Sequence, residues 1–483
     1  MPGDAATVEV LHAADAEDRQ RRAAGALLAA GCRRGDRVAF ALGSSADLIC
    51  AALGAARAGL IPVMLNATLT GPERDDLAAD ARPSVRVFSH AELHDLITEG
   101  RPADIAPYPL TRPMHYTSGT TGRPKGVTTG LWDDGTARAV VEDEAAVWHF
   151  DRKDLHMVCS PMYHTVSIRF ASGTLLAGGS LAILSRFHAP TALDTLRRLR
   201  PTTTFLVPTH LQRILQTPDL GTDERFDSLR LLAHAGAPCP DTVKRAVMER
   251  VRPGSVWEFY GSTEAQFSVC SPEDWLERPG TVGRARRGRR LHIVPVDDDT
   301  DTGIDTDIVD GDPGAGGTGA VGTIWCDMPD FARFGYWGNP EATAAAWNGS
   351  ACTVGDLGRL GPDGFLYLTG RRHDLIISGG VNVYPAEVEN VLAAVDGVAE
   401  VAVFGLPDAQ WGQRVCAAFV ADGRRRAAAE EALRAAATAR LAPYKRPKAY
   451  FATTDLPHTA TGKLIRRAVA GHLGLGSGAG RPG

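Results

Sequence analysis

Apolar residues in the first part of the chain come in short runs separated by longer amphipathic stretches. Val38-Ala-Phe-Ala-Leu42, inside the segment Asp36–Leu42, is too short for a helix and predicts a strand. Ser44 and Ser45 offer a cap for a helix from about Asp47 to Ala58, and Leu60–Leu65 follows as the next strand. The rhythm continues through Val85–Phe88, then Leu175–Leu184 with its Gly178-Gly179 turn, then Thr204–Pro208. Such β-α-β alternation implies a mostly parallel sheet covered by helices.

The pattern changes towards the C-terminus. Leu291–Val296 and Val321–Trp325 bracket an Asp- and Gly-rich segment, 297–317. It lacks the closing Glu of a calcium loop and reads as an acidic hairpin loop. From Arg371 a smaller unit begins. It has a strand at 374–378, a helix opening at Pro385 with Glu387 and Glu389, and strands at Val398–Phe404 and Val415–Val420. An Ala/Arg-rich helix and the strand Lys448–Thr453 complete it. The expected fold is α/β. A large N-terminal domain, 1–370, holds covered, mostly parallel sheets and a small β subdomain; a small α+β domain, 371–483, has a disordered tail from about Gly474.

Composition narrows the function classes. At 483 residues, 44% hydrophobic and 23% charged, this is a globular chain of two or three domains. A net charge of −5 without a basic stripe argues against nucleic-acid binding. The eight cysteines show neither Cys-x-x-Cys pairs nor zinc spacing, which fits a reducing compartment. The apolar stretch Ile49–Leu65 is broken by Arg57 and Pro62, and the N-terminus lacks basic and apolar leader regions. The cytoplasm and no integral membrane contact are expected.

The densest chemistry lies in Tyr116-Thr-Ser-Gly-Thr-Thr-Gly-Arg-Pro-Lys-Gly126. The hydroxyls of Thr117, Ser118, Thr120 and Thr121, the amides around Gly119 and Gly122, and the Lys125 ammonium are all phosphate ligands. Glycine permits the backbone turns that point successive N–H groups into one concavity. The spacing differs from a Walker A loop, because only two residues separate Gly119 from Gly122.

This loop resembles the signature of the adenylate-forming superfamily: acyl-CoA synthetases, luciferases and peptide-synthetase adenylation domains. Later segments follow the family's motif order, so the resemblance runs from about Asp36 to Arg467. Pro161-Met-Tyr-His164-Thr matches an aromatic–His motif, which implies that His164 lines the entrance of the acid pocket. No Asp stands nearby for an α-ammonium group, which favours a plain carboxylic acid over an amino acid. His234-Ala-Gly236-Ala237-Pro238 resembles the adenine-contacting turn. Phe259-Tyr260-Gly261-Ser262-Thr263-Glu264 resembles the motif that supplies an aromatic for adenine, a Thr donor for the α-phosphate and a Mg²⁺-binding carboxylate, here Glu264.

Asp356 in Val354-Gly-Asp-Leu-Gly matches the residue that accepts from both ribose hydroxyls. Arg371 matches a ribose- or phosphate-binding Arg, and His373 stands at the hinge, where the family usually has Asp or Lys. The resemblance further implies that the small domain is mobile. Its rotation brings the segment Ser378-Gly379-Gly380 to the adenylate and opens a path for coenzyme A. Thr459-Ala-Thr-Gly-Lys463 matches the last motif and makes Lys463 the catalytic lysine of adenylation, alongside Glu264, Thr263 and Arg371.

The implied function is ATP- and Mg²⁺-dependent conversion of a hydrophobic carboxylic acid to acyl-AMP, then to a thioester with coenzyme A. Val166, Ile168 and Phe267 are the expected pocket walls; Arg169 could pair with a second carboxylate of the acid, but reads better as a snorkelling or structurally paired residue. Two alternatives stand beside it. One is a ligase that stops at acyl-AMP and hands it to an acyl carrier protein or partner enzyme; the other is a non-catalytic adenylate-binding protein. A monomer or homodimer is expected.

Overall fold

The computed structural model describes residues 6–117, 124–295, 319–371, 374, 376–378, 381–408, 411–421, 426–441, 443–458 and 464–475. The acidic segment, the tail from 476, and the expected site residues Ser118, Gly119, Thr120, Thr121, Gly122, His373, Gly379, Gly380 and Lys463 lie outside them.

The chain separates into two compact units. The first comprises Met1–Leu291 with Cys326–Cys352; the second holds Thr353–Gly483 with parts of the intervening segment. The sequence places that boundary at 371, so the strands Asp356–Leu360 and Leu366–Arg371 fall on the other side of it.

The first unit contains two large sheets. One runs in the order Val8–Leu11, Ser180–Leu184, Leu155–Val158, Thr203–Leu206, Leu231–His234, Val256–Gly261, Gln266–Cys270, Arg284–Ala285. The neighbours from Ser180–Leu184 to Val256–Gly261 are parallel, as the alternation predicts. The other orders Gly335–Tyr336, Lys125–Thr128, Met114–Thr117, Ile61–Met64, Arg37–Phe40 and Val85–Val87. Its last four strands are parallel too.

The helix Ala46–Arg57 shows how residue choice makes this packing. Ser45 accepts from the Leu48 N–H at 3.2 Å and caps its start. Nearly all its residues are buried, because alanines let it approach its neighbours on every side. At Gly54 a Cβ would lie 2.3 Å from the Gln20 carbonyl oxygen, so the crossing with helix Ala13–Ala29 needs glycine.

The second unit carries its own antiparallel-rich sheet, Val381–Val383, Ile376–Ser378, Gly412–Ala421 and Val398–Asp408, with Ala449–Thr453 parallel to Gly412–Ala421. The helices Pro385–Leu392 and Arg426–Arg440 contribute Val388, Leu392, Leu433 and Ala437 to its core. No described helix is long and apolar enough to cross a membrane. All eight cysteines are free, and burial raises the thiols of the most enclosed ones.

Candidate active site

Gly261 ends its strand, and a Cβ there would stand 2.4 Å from the Ala265 carbonyl oxygen. The tight turn after it therefore requires glycine. The Ser262 N–H donates to that carbonyl at 2.8 Å, and the Glu264 N–H donates to Ser262 Oγ at 3.2 Å. This leaves Thr263 half-buried and Glu264 only 8% exposed.

Glu264 does not stand alone. The Tyr336 hydroxyl donates to its Oε1 at 3.1 Å. Tyr336 arrives on the strand Gly335–Tyr336, paired antiparallel with Lys125–Thr128, and Lys125 Nζ lies 5.0 Å from the Tyr336 ring centre. Burial, and after it the charge of Glu264, push the Tyr336 hydroxyl far above its usual range, so it remains a donor. Among the described residues, no basic side chain comes within ion-pair distance of Glu264, and no group of three His, Cys, Asp or Glu could hold a metal. A buried carboxylate in that state fits a Mg²⁺ ion whose other ligands are phosphate oxygens and water.

The two strands that flank the expected phosphate loop are described and pair antiparallel. Thr117 closes Met114–Thr117 and sits directly opposite Lys125, which opens Lys125–Thr128. The turn after Leu231–His234 presents Gly236 and Pro238 to solvent and Ala237 half-buried, with Gly236 at φ +93°, where side-chain-bearing residues are strained. Beneath it His234 is completely buried, and Lys244 and Glu258 form a buried ion pair of 2.6 Å.

The aromatic expectation needs correcting at Phe259. Its ring packs 5.5 Å from Trp148 and 5.9 Å from Phe205, inside an aromatic core that includes Phe170 and Val166. Successive strand residues face opposite sides, and Tyr260 instead lies against Phe267 at 5.5 Å. Phe259 thus supports the turn from behind and offers no free face to a nucleotide.

A cavity of about 300 Å³ adjoins the turn, and Ser262, Thr263 and Ala265 form part of its wall. Other parts of the wall include Ile168, Arg169 and Ser172 on helix Thr165–Leu176, Ala52 and Leu53 on Ala46–Arg57, Val140 and Glu144 on Asp134–Trp148, and Arg112 and His115. Of the expected pocket residues, Ile168 is in this wall. Phe267, on the strand Gln266–Cys270, is fully enclosed, and Val166, on the helix Thr165–Leu176, packs against the aromatic core. His164 stands at the position just before the helix, makes no capping hydrogen bond through its side chain, and packs on Tyr163 at 4.4 Å. Burial pushes His115 down to about 4 and His164 down to about 3, the latter also through His115, so both are neutral near pH 7.

In the second unit, Asp356 opens its strand, is 8% exposed, and lies across from Arg371 in the strand register. Ser378 is buried at the end of Ile376–Ser378. A bridge between His458 and Leu464, with the Ile465 N–H donating to the Pro457 carbonyl at 2.8 Å, ties the chain on either side of the Lys463 segment. Arg466 then pairs with Glu389 at 2.8 Å and with Asp374.

Sequence reasoning missed Tyr336, Arg112, Glu144 and the anchoring role of Arg466. Their local signals are an aromatic run, Phe334-Gly-Tyr-Trp337, and scattered charges with no motif spacing.

The comparisons with known proteins agree with this geometry. Residues 9–108 and 112–337 match the family described as AMP-binding enzyme, and residues 387–463 match its C-terminal domain. A feruloyl-CoA synthase from Amycolatopsis sp. is 33% identical over 486 residues, covering 95% of this chain and 94% of that protein. The fatty acid–[acyl-carrier-protein] ligase ScoC of Streptomyces coeruleorubidus is 31% identical over 497 residues, covering 96% and 91%. ATP-bound MatB from Rhodopseudomonas palustris has the same fold, with a TM-score of 0.80 at 28% identity over 95% of this chain and 93% of that one. The turn carrying Glu264, the phosphate-loop hairpin and these matches together show that the chain belongs to the AMP-binding enzymes, the adenylate-forming family.

Proposed function

We propose that this enzyme, an ATP-dependent acid–CoA ligase working through an acyl-AMP, takes a carboxylic acid with a largely hydrophobic body into the cavity beside Ser262 and Thr263. The observation that carries the reading is the continuity of that mostly apolar wall with the turn bearing Glu264. The acid's carboxylate attacks the α-phosphate of ATP, pyrophosphate leaves, and the thiol of coenzyme A then attacks the acyl carbonyl and releases AMP. Two anions must meet in the first step, so positive charge and oriented donors dominate the catalysis.

Thr263 donates to the α-phosphate from the lip of the cavity, and Lys125 faces the leaving pyrophosphate. Lys463 offsets the carboxylate approaching the phosphate, while Asp356 and Arg371 hold the ribose. Glu264 is the residue that would hold Mg²⁺, with Tyr336 orienting its carboxylate. When bound, the ion neutralises phosphate charge. His115 and His164 are neutral and leave the acid's negative charge uncompensated on their side.

The likeness to ScoC supports a second acceptor, an acyl carrier protein in place of coenzyme A. The deciding experiment measures pyrophosphate release across fatty, aryl and polycyclic acids, with coenzyme A, with a phosphopantetheinylated carrier protein, and with neither. Thioester formed on coenzyme A supports the reading, and thioester on the carrier alone replaces it with the second. No pyrophosphate release with any acid would leave an adenylate-binding protein without catalysis.

A further inference from the structure

The cavity beside Ser262 and Thr263 is apolar over most of its wall, yet Arg112 and Arg169 both enter it. Arg169 Nε lies 3.4 Å from Glu144 Oε2, and its Nε and Nη2 are buried without a hydrogen-bond partner. Glu144 is already engaged elsewhere. Its Oε1 accepts from Arg286 at 3.0 Å and its Oε2 accepts from Trp148 Nε1 at 3.1 Å. Asp143 is taken up by Arg286 and Arg289 at 2.8 and 2.9 Å. In this cluster four guanidiniums, of Arg112, Arg169, Arg286 and Arg289, meet two carboxylates, of Asp143 and Glu144.

Arg112 has no carboxylate within ion-pair distance among the described residues; its guanidinium lies 6.0 Å from the Trp132 ring centre. Burial lowers it to about 10, which still leaves it charged near pH 7. Surplus positive charge held away from water is costly unless an anion or a polar ligand meets it. The planar fork of arginine matches a carboxylate, and such charge-assisted hydrogen bonds are among the strongest available. Arg112, Glu144 and Arg169 line the same cavity as Ser262 and Thr263, so an anion held by the two guanidiniums would share that cavity with the acid being adenylated.

We propose that Arg169 and Arg112 form an anion subsite within the acyl cavity, so that the acid this enzyme activates carries a second carboxylate on its hydrophobic body, remote from the one that is adenylated. The proposal rests on the reading of this cavity as the acid pocket. It gives Arg169, otherwise a structural partner of Glu144, a part in substrate selection.

The test compares pyrophosphate release by the wild-type enzyme for pairs of acids with one skeleton, a dicarboxylic acid and its half-amide, in linear and aryl series. The diacid should win in kcat/KM by at least about ten-fold. In Arg169→Gln that ratio should fall to about one, chiefly through a higher KM for the diacid, and Arg169→Lys should recover part of it. Wild-type preference for the half-amide overturns the subsite without any variant. So does an Arg169→Gln enzyme, folded by thermal unfolding, that loses both substrates equally. Ser172→Phe separates this failure from failure of the underlying reading, since Ser172 lines the same cavity. If it leaves the KM of every accepted acid unchanged, the cavity is not the acid pocket and both readings fall. If it excludes acids while the diacid ratio in the wild type is one, the anion subsite alone falls.

Discussion

Two glutamates, a buried one in the first unit and a partly buried one in the second, meet their surroundings in opposite ways. Glu389 in the second unit is closed: Arg466 reaches it at 2.8 Å and the Val403 N–H donates to it at 2.7 Å. Glu264 in the first unit is open, with a neutral hydroxyl at 3.1 Å and no cation within ion-pair distance among the described residues. The closed carboxylate ties the helix Pro385–Leu392 to the chain that follows the Lys463 segment. The open one keeps an unspent negative charge at the edge of a cavity. Burial alone therefore does not mark a functional carboxylate; the informative feature is whether its charge is already answered.

The comparison can be broken at four points. Lys463→Ala should have the largest effect, a loss of about 10²–10³ in the adenylation rate, if its ammonium has the proposed role of offsetting the charge of two approaching anions. Given preformed acyl-AMP and coenzyme A, the same variant should still make thioester, and loss of both half-reactions in a folded protein would assign Lys463 a structural role.

Arg466→Met attacks the closed glutamate. Leaving the partly buried Glu389 without its partner should destabilise the protein by about 2 kcal/mol, read from the denaturant midpoint. An unmoved midpoint would show that the pair holds nothing together.

Acidification tests the first unit's neutral histidines. His115 and His164 are lowered to about 4 and about 3, whereas the unfolded chain takes up these protons near the ordinary histidine value of about 6.5. As pH falls below that value the unfolded state binds more protons, so stability present above about 6.5 drains away towards about 4. Each histidine contributes up to about 1.4 kcal/mol per pH unit, and His115→Asn should flatten the slope by about that amount. Denaturation series at several pH values measure it; an identical slope would mean that His115 is hydrated in solution.

Tyr336→Phe is the mildest break. It strips the open glutamate of its donor at a cost of about 1 kcal/mol, so the Mg²⁺ concentration for half-maximal adenylation should shift by roughly five-fold. A Mg²⁺ titration with no shift would separate Tyr336 from the metal site.

Much of this protein can be read along its chain. The β-α-β alternation gives the covered parallel sheets because strands buried on both faces need continuous apolar runs such as Val38–Leu42, whatever lies elsewhere. The motif order, from Thr117 to Asp356 and Lys463, identifies the family because each motif is a local backbone device: a glycine turn, a hydroxyl row, a carboxylate at a strand end. Such devices need only their immediate neighbours, so they survive as short words in the sequence.

Tertiary structure decided what depends on distant positions meeting. Lys125, Glu264 and Tyr336 come together because the strand Gly335–Tyr336 pairs beside Lys125–Thr128, and no local pattern announces that pairing. Phe259 reads as a base-stacking aromatic within its motif, yet the parity of its strand turns it towards Trp148 and Phe205. Arg112, Glu144 and Arg169 are ordinary surface charges by spacing, and only the packing of their helices and loops gathers them around one cavity, with Arg286 bound to Glu144. Charge balance is a property of a volume, and a linear chain reveals a volume only once it has folded.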